Sequence, residues 1–211
     1  MARTSAGHET RERLLRAAEE LFADRGVEAA LTRDITRLAG QSNPSAVQYH
    51  FGSREGLLDA LMAAHHERGE QALAPYLPDL ETEDLRGLLS ALILAEAAEL
   101  RTDQGRRCLR ISAQVSHRSG VRTRTPHPTL VGSGYWRVIE LIEARIADVP
   151  EPIRLERIDL VLTVIGAALA DRAHQYLTRA TPLTDEVTFL IDLVTMSAAM
   201  LSSPIPRRST S

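Results

Sequence analysis

The chain has 211 residues, of which 44% are hydrophobic and only 4% aromatic, and its formal net charge is −3. This hydrophobic content is enough for a packed core and excludes wholesale disorder, and the scarcity of aromatic residues favours helices over strands. The slightly acidic charge excludes a protein that coats nucleic acid with a generally basic surface. Any contact with DNA must therefore come from a local patch.

The first quarter of the chain is predicted to be a flexible arm followed by three helices. Leu14, Leu21 and Phe22 recur at helical spacing, and Gly26 is a typical stop after such a helix. Two shorter helices follow, joined by a tight turn that begins at Gly40. The predicted elements are an arm over residues 1–9, then helices over residues 10–25, Arg33–Ala39 and Pro44–His50, which make a three-helix domain over residues 10–52.

The remaining helices are predicted to form a second domain over residues 53–201. Ser53 is placed to cap a connecting helix over residues 53–73, and Pro75 and Pro78 end it. The tail over residues 202–211 is rich in Pro and Ser, so we expect it to be flexible. Five further helical patterns cover Glu83–Arg101, Gly105–His117, Pro128–Ala147, Pro152–Thr178 and Asp185–Leu201, which gives an all-α fold of about nine helices.

Residues 31–61 have the pattern of a helix-turn-helix, whose second helix enters the major groove of DNA. Ile35, Leu38, Ala39, Val47 and Phe51 are the positions expected to face inward. Asn and Gln side chains can bond adenine, small apolar groups can touch the thymine methyl, and Arg or a helix N-terminus can bind phosphate. The candidate DNA contacts are Thr32, Arg33, Gln41, Ser42, Asn43, Ser45, Ala46, Gln48, Tyr49, His50 and Arg54.

This segment resembles the tetracycline-repressor (TetR) family of bacterial regulators. The family pattern is LFAxxG, then TxxxIAxxAG, then an aromatic-x-His-Phe-x-Ser-Lys-Glu-x-Leu run. The corresponding pieces here are Glu20–Gly26, Thr32–Gly40 and Tyr49–Leu58, so the match covers about residues 10–61. Gln48 stands where the family usually has Tyr, and Arg54 where it usually has Lys. The interval from Gly40 to Val47 is one residue longer than usual, which leaves the individual base contacts open.

The resemblance implies that the carboxy-terminal helices enclose a ligand cavity and that the last two helices pair with those of a second copy. The last two helices are apolar enough for this role, although a plain monomer core is the alternative. The expected interface residues are Val161, Ile165, Leu169, Val187, Leu190, Ile191, Val194 and Ala198. Polar residues within apolar helices are the candidate effector contacts, with solvated or core positions as the alternative: Arg110, Gln114, His117, Tyr135, Trp136, Asp171, His174 and Tyr176.

The function implied is that of a cytoplasmic repressor, a homodimer that binds a palindromic double-stranded operator and is released by an unidentified small molecule. An activator, or a regulator that needs no ligand, is the alternative, and a helical enzyme is a more distant one. No nucleophile elbow, phosphate loop or metal-ligand spacing is present, so we expect no catalysis, cofactor, metal site or membrane association. Cys108 lies among arginines and is either a redox-sensitive thiol or a core residue.

Overall fold

The computed structural model describes residues 2–115 and 120–205. Over these residues the chain forms nine α-helices and no strand, which confirms the predicted all-helical fold. No helix within these ranges is long and apolar enough to cross a membrane. The helices are α1 (Ala2–Arg25), α2 (Thr32–Leu38), α3 (Ala46–Phe51), α4 (Arg54–Leu73), α5 (Leu85–Ala97), α6 (Asp103–Val115), α7 (Gly134–Arg145), α8 (Glu151–Leu177) and α9 (Glu186–Leu201).

The first helix is longer than the sequence predicts. It begins at Ala2, so the predicted arm over residues 1–9 is helical from its second residue onward. Once the apolar face around Leu14 and Phe22 has formed a helix, each added residue gains a backbone hydrogen bond, and no proline interrupts residues 2–9. The helix ends as expected at Gly26, whose positive φ of 92° suits glycine.

A small core holds the amino-terminal unit together, by which we mean α1, α2, α3 and the first half of α4. Leu14 and Phe22 of α1, Ile35 of α2 and Val47 of α3 are fully or almost fully buried in it. The core also takes Leu57, Leu58 and Leu61 from α4 and Ile111 from α6. The packing boundary therefore lies inside α4 and not at residue 52, although the helix does begin at the predicted cap, where Ser53 Oγ accepts a hydrogen bond from Gly56 N.

A larger core holds the carboxy-terminal unit, which comprises the second half of α4 and helices α5 to α9. Helix α5 enters it from several sides, because Leu88, Leu89, Leu92 and Ile93 are all buried. Helix α6 belongs to both cores, since Leu109 lies in the larger one and Ile111, two residues later, lies in the smaller one. Helices α4 and α6 are thus the two elements that physically connect the units.

Helices α8 and α9 bury part of the predicted dimer interface inside the protomer. Val161, Ile165, Leu169 and Val194 belong to the larger core, so they offer no surface to a partner and this part of the prediction is wrong. Leu190 and Ala198 are partly buried against the same core. Val187 and Ile191 remain 66% and 58% exposed. Both helices are apolar around most of their circumference, so periodicity could not separate the inward stripe from the outward one.

The described part of the carboxy-terminal tail is anchored, contrary to the prediction of a flexible segment from residue 202. Arg157 of α8 donates hydrogen bonds to the carbonyl oxygens of Leu201 and Pro204, at 3.0 Å each. Arginine satisfies two carbonyl groups at once because its guanidinium carries several donors in a fixed plane. The remainder of the predicted tail, residues 206–211, lies outside the described residues.

Candidate DNA-binding surface and ligand cavity

The turn between α2 and α3 sets the orientation of α3. Gly40 adopts a φ of 66°, and Gln41 N donates to Thr36 O at 3.0 Å, which closes the end of α2. Asn43 then organises the next turn, because its Oδ1 accepts from Ser45 N at 2.9 Å and its backbone O accepts from Ala46 N at 3.1 Å. Helix α3 consequently begins at Ala46, two residues later than the predicted start at Pro44.

Most of the predicted DNA contacts lie on one accessible surface of the amino-terminal unit. Tyr49 is 82% exposed, more than any other aromatic side chain among the described residues. Thr32, Gln41 and His50 are half-buried at the edge of this surface. The fully exposed members are Arg33, Ser42, Asn43, Ser45, Gln48 and Tyr49.

Two positions in these helices face the opposite way from the prediction. Ala46 is buried beside Val47 in the small core, so it does not reach a base. Leu38, predicted to face inward, is 48% exposed. With α3 beginning at Ala46, Ala46 and Val47 point toward the small core while Gln48 and Tyr49 point away from it. Ile35 of α2 and Ala39, which directly follows this helix, pack into the small core, because the two turns of α2 have room for one inward stripe.

Arg54 lies within the amino-terminal unit and not on its exposed surface. Its guanidinium stacks over the Phe22 ring, 5.3 Å from the ring centroid, and its Nε donates to Ala30 O at 3.3 Å. Its Nη2 is buried without a hydrogen-bond partner among the described residues. The predicted phosphate contact by Arg54 is therefore not available in this conformation, and the side chain ties the start of α4 to α1 instead.

Charges near the exposed surface are already partly neutralised. Asp34 of α2 accepts hydrogen bonds from Arg25 at 3.1 Å and from Arg37 at 2.6 Å. Arg33 is exposed, and no ion pair holds it among the described residues. Because a phosphate group competes best for an unpaired guanidinium, Arg33 is the strongest candidate for a phosphate contact on α2.

The second candidate site is a cavity of about 190 Å³ in the carboxy-terminal unit, between α4, α5, α6, α7 and α8. We refer to it as the cavity. Its walls are mostly apolar and include Leu92 of α5, Leu109 of α6 and Ile165 of α8. Polar groups enter from three helices: His65, His66 and Glu70 from α4, Glu96 from α5 and Tyr135 from α7. A mostly apolar wall with a few convergent polar groups is typical of small-molecule sites.

A buried polar cluster adjoins the cavity. His65 places Nε2 3.7 Å from Glu96 Oε2 and Nδ1 3.9 Å from Glu99 Oε1, distances too long for hydrogen bonds. Glu99 is instead held by Arg68, whose Nε and Nη2 donate to its two carboxylate oxygens at 2.8 and 3.1 Å. Burial raises the pKa of Glu96, and the positive charge that His65 carries when protonated opposes this shift. Burial also raises the pKa of Tyr135.

Glu70 has a structural role at the cavity wall. Its two carboxylate oxygens accept hydrogen bonds from Gly134 N at 2.7 Å and Tyr135 N at 2.9 Å. These are free N–H groups at the start of α7, where the helix dipole also favours a negative charge. Glu70 therefore fastens α7 to α4 across the cavity, and its carboxylate is already occupied.

Most of the predicted effector contacts do not line the cavity. Tyr135 lines the cavity, whereas Trp136 lies in a separate groove beside Leu77 and Leu80. Arg110 and Gln114 face α1. Asp171 and His174 are exposed on α8, and the hydroxyl of Tyr176 donates to Glu186 at 3.0 Å. His117 lies outside the described residues. Polar residues of one helix point in several directions, so a polar residue in an apolar helix does not by itself identify a cavity.

Sequence inspection missed His65 and Glu96 as cavity residues. Glu96 does leave a signal, because it is the only acidic residue between Leu85 and Ala97 and it follows the apolar run from Ala91 to Ala95. A single carboxyl group in such a helix requires a partner or a cavity. The adjacent His65 and His66 have no metal-ligand spacing in the sequence, and their position on α4 beside α5 is visible only in the folded chain.

Comparison with known proteins identifies the amino-terminal unit. Residues 14–61 match the family model described as bacterial regulatory proteins, tetR family. Residues 14–61 are a TetR-family domain. This match contains α2, α3 and the first residues of α4, so the exposed surface around Tyr49 is part of a TetR-family domain.

Two curated regulators share sequence with this chain. It is 32% identical over 110 residues to the HTH-type transcriptional regulator TtgR of Pseudomonas putida, a stretch that covers 52% of this chain and 50% of TtgR. The same figures hold for the probable HTH-type transcriptional regulator ArpR of Pseudomonas putida. The chain thus spans about half the length of the curated relatives it matches.

The solved structure of the probable transcriptional regulatory protein RHA5900 has the same fold as this chain. The two share 20% sequence identity with a TM-score of 0.50, over 92% of this chain and 100% of the other. The likeness therefore extends beyond the 14–61 domain into the carboxy-terminal helices. At this level of identity it describes the fold and gives no information about the ligand.

Proposed function

We propose that this TetR-family chain is a transcriptional repressor that binds a palindromic DNA operator as a homodimer. The observation that carries the proposal is the exposed surface of α3, on which Gln48 and Tyr49 project from a helix anchored by Ala46 and Val47. An amide beside an aromatic hydroxyl can bond base edges and phosphates in the major groove. The protein then acts with DNA in the cytoplasm, and the role requires no catalytic group.

Dimerisation is supported by an apolar face that the protomer leaves open on α8 and α9. Leu160 is 50% exposed on α8, and Val187 and Ile191 are 66% and 58% exposed on α9. Exposed apolar side chains clustered on neighbouring helices are typical of protein interfaces. Two amino-terminal units in such a dimer need a separation of about 34–36 Å to occupy successive major grooves of one palindrome.

Release by a small molecule is supported by the two helices that connect the units. Helix α4 contributes Leu58 to the small core and lines the cavity with His65, and α6 contributes Ile111 to the small core and lines the cavity with Ser112. A ligand that fits the cavity better in one orientation of these helices shifts the protein toward that orientation. We propose that the favoured orientation moves the two amino-terminal units out of register with DNA.

The proposed function is tested by operator selection and fluorescence anisotropy. Purified protein selects sequences from a random duplex library and is titrated against tiled duplexes from the DNA that flanks its own gene. The Gln48→Ala/Tyr49→Ala variant should lose saturable binding, whereas Gln71→Ala/Tyr76→Ala, which removes an exposed amide and an exposed tyrosine far from α3, should retain it. Selection of no sequence would contradict DNA recognition, and equal binding by the first variant would contradict the assignment of α3.

A further inference from the structure

Glu96 has a carboxyl group on the cavity wall, and no described residue donates a hydrogen bond to it. Its side chain is 22% exposed even though it lies on a core helix, because the accessible part faces the cavity. No hydrogen-bond donor of the described residues reaches its carboxyl group, and the nearest candidate, His65 Nε2, is 3.7 Å away. The neighbouring carboxylates of Glu70 and Glu99 each accept two hydrogen bonds.

The absence of arginine from the described part of the cavity wall, together with its carboxyl groups, disfavours anionic ligands. The chain has 25 basic residues other than histidine, all of them arginine, yet no arginine lines the cavity over residues 2–115 and 120–205. The acidic groups on its wall are Asp59, Glu70 and Glu96. A buried anion needs a guanidinium, an ammonium or several N–H groups. The described part of the cavity wall supplies neither a guanidinium nor an ammonium.

We propose that the cavity binds a small organic ammonium ion, an apolar molecule with one protonated amine, and that the Glu96 carboxylate accepts a hydrogen bond from that amine. The apolar wall formed by Leu92, Leu109 and Ile165 contacts the body of the molecule. The charge of the amine compensates that of the Glu96 carboxylate, which accepts no hydrogen bond from the described residues. Binding of the ammonium ion is argued from the cavity alone. Any effect of the bound molecule on DNA binding rests on the proposed function.

The surroundings of Glu96 couple binding of the ammonium ion to the ionisation of its carboxyl group. Without a ligand, burial and the nearby Glu99 carboxylate raise the pKa of Glu96, while His65 and His66 lower it. An ammonium ion at hydrogen-bond distance stabilises the ionised form, so the bound amine lowers this pKa. Affinity therefore falls as the pH drops below the pKa of Glu96 in the empty cavity, by about tenfold per pH unit. The charged or titratable groups around it are His65, His66 and Glu70 on α4, Glu99 after α5, Tyr135 on α7 and His127 before α7.

The test uses three probes of similar size and shape: 2-phenylethylammonium, 2-phenylethanol and phenylacetate. Isothermal titration calorimetry of the full chain gives each dissociation constant, and repetition in buffers of different ionisation enthalpy counts the protons released. We expect the ammonium to bind most tightly and phenylacetate most weakly. Glu96→Gln should weaken the ammonium by about tenfold or more, remove its pH dependence and leave 2-phenylethanol within about twofold. The control Glu67→Gln changes an exposed carboxyl on α4 and should alter nothing.

Each result decides the proposal. Preference for the ammonium that disappears in Glu96→Gln supports it. Equal or tighter binding of 2-phenylethanol or phenylacetate, a preference that survives in Glu96→Gln, or failure of all three probes to bind overturns it. Fluorescence anisotropy with operator DNA and no probe tests the proposed function separately from the ligand class. A wild-type chain that binds DNA but prefers no ammonium refutes only the ligand class, whereas a chain that binds the ammonium but selects no DNA refutes only the proposed function.

Discussion

Gln114 Oε1 accepts a hydrogen bond from the backbone N–H of Val27 at 2.7 Å, across 87 residues of sequence. The bond fastens the end of α6 to the turn that follows α1. Two ion pairs also connect α6 to α1. Arg107 Nη1 lies 3.7 Å from Glu19 Oε1, and Arg110 Nη1 lies 3.6 Å from Asp24 Oδ1. Helix α6 also lines the cavity, so it connects the cavity directly to the amino-terminal unit.

We expect Gln114→Ala to loosen the amino-terminal unit. The substitution leaves the N–H of Val27 without its acceptor, so the free energy of unfolding should fall by about 1 kcal/mol. Urea denaturation followed by circular dichroism measures the change, and Gln71→Ala, at an exposed position on α4, is the matched control. An unchanged unfolding midpoint for Gln114→Ala would show that the bond contributes nothing to stability.

Arg33 and Arg54 should respond differently to replacement by alanine. Arg33→Ala removes an exposed, unpaired guanidinium from each protomer, so the slope of log K against log salt for operator binding by the proposed dimer should decrease by about 2 with little loss of stability. Arg54→Ala removes the contact with Phe22 and Ala30 and should lower the melting temperature instead. Anisotropy at several salt concentrations and thermal denaturation measure the two effects. The reverse pattern would mean that Arg54 turns outward onto DNA.

One substitution in α9 and one in α8 should affect dimerisation and folding separately. Ile191→Glu puts a charge on an exposed position of the apolar face, so we expect a folded monomer in sedimentation velocity. Leu169→Ala acts inside the protomer core and should lower the free energy of unfolding by about 2–5 kcal/mol without changing the association of folded chains. A dimer that survives Ile191→Glu at micromolar concentration would place the interface on another surface.

The Cys108 thiol should be unreactive in the folded protein. Burial raises its pKa to about 12, the Glu19 carboxylate adds to the shift, and the adjacent Arg68 partly offsets it. At pH 8 a disulfide reagent such as DTNB should therefore modify Cys108 only when denaturant unfolds the chain. This outcome favours the core residue over the redox sensor, the two alternatives that the sequence leaves open.

The raised pKa of Cys108 predicts that the free energy of unfolding decreases at alkaline pH. Below pH 9.0, the ordinary pKa, the thiol is protonated in both states and contributes no difference. Between about pH 9 and 12 the unfolded chain releases the proton while the folded chain retains it, which favours unfolding as the pH rises. Cys108→Ser should reduce this part of the alkaline slope in urea denaturation. A slope that is identical in both proteins would contradict the buried, protonated thiol.

The sequence alone determined that the fold is all-helical and which part of the chain resembles a DNA-binding domain, but it did not predict the helical residues 2–9. Ser53 and Gly26 mark helix ends through local chemistry, and the apolar residues of α1 recur at a spacing that only a helix explains. Tyr49 and Gln48 were found because the family pattern fixes their place in α3. These properties depend on neighbours within one or two helical turns, which the sequence displays directly.

Tertiary structure decided every property that depends on which way a side chain faces. Ala46 is buried because α3 starts two residues later than predicted, and Arg54 points inward because Phe22 offers it an aromatic ring. Val161 and Ile191 are both apolar residues on apolar helices, and only packing separates the core position from the exposed one. The cavity is assembled from five helices far apart in sequence, so no local pattern could connect His65 with Glu96.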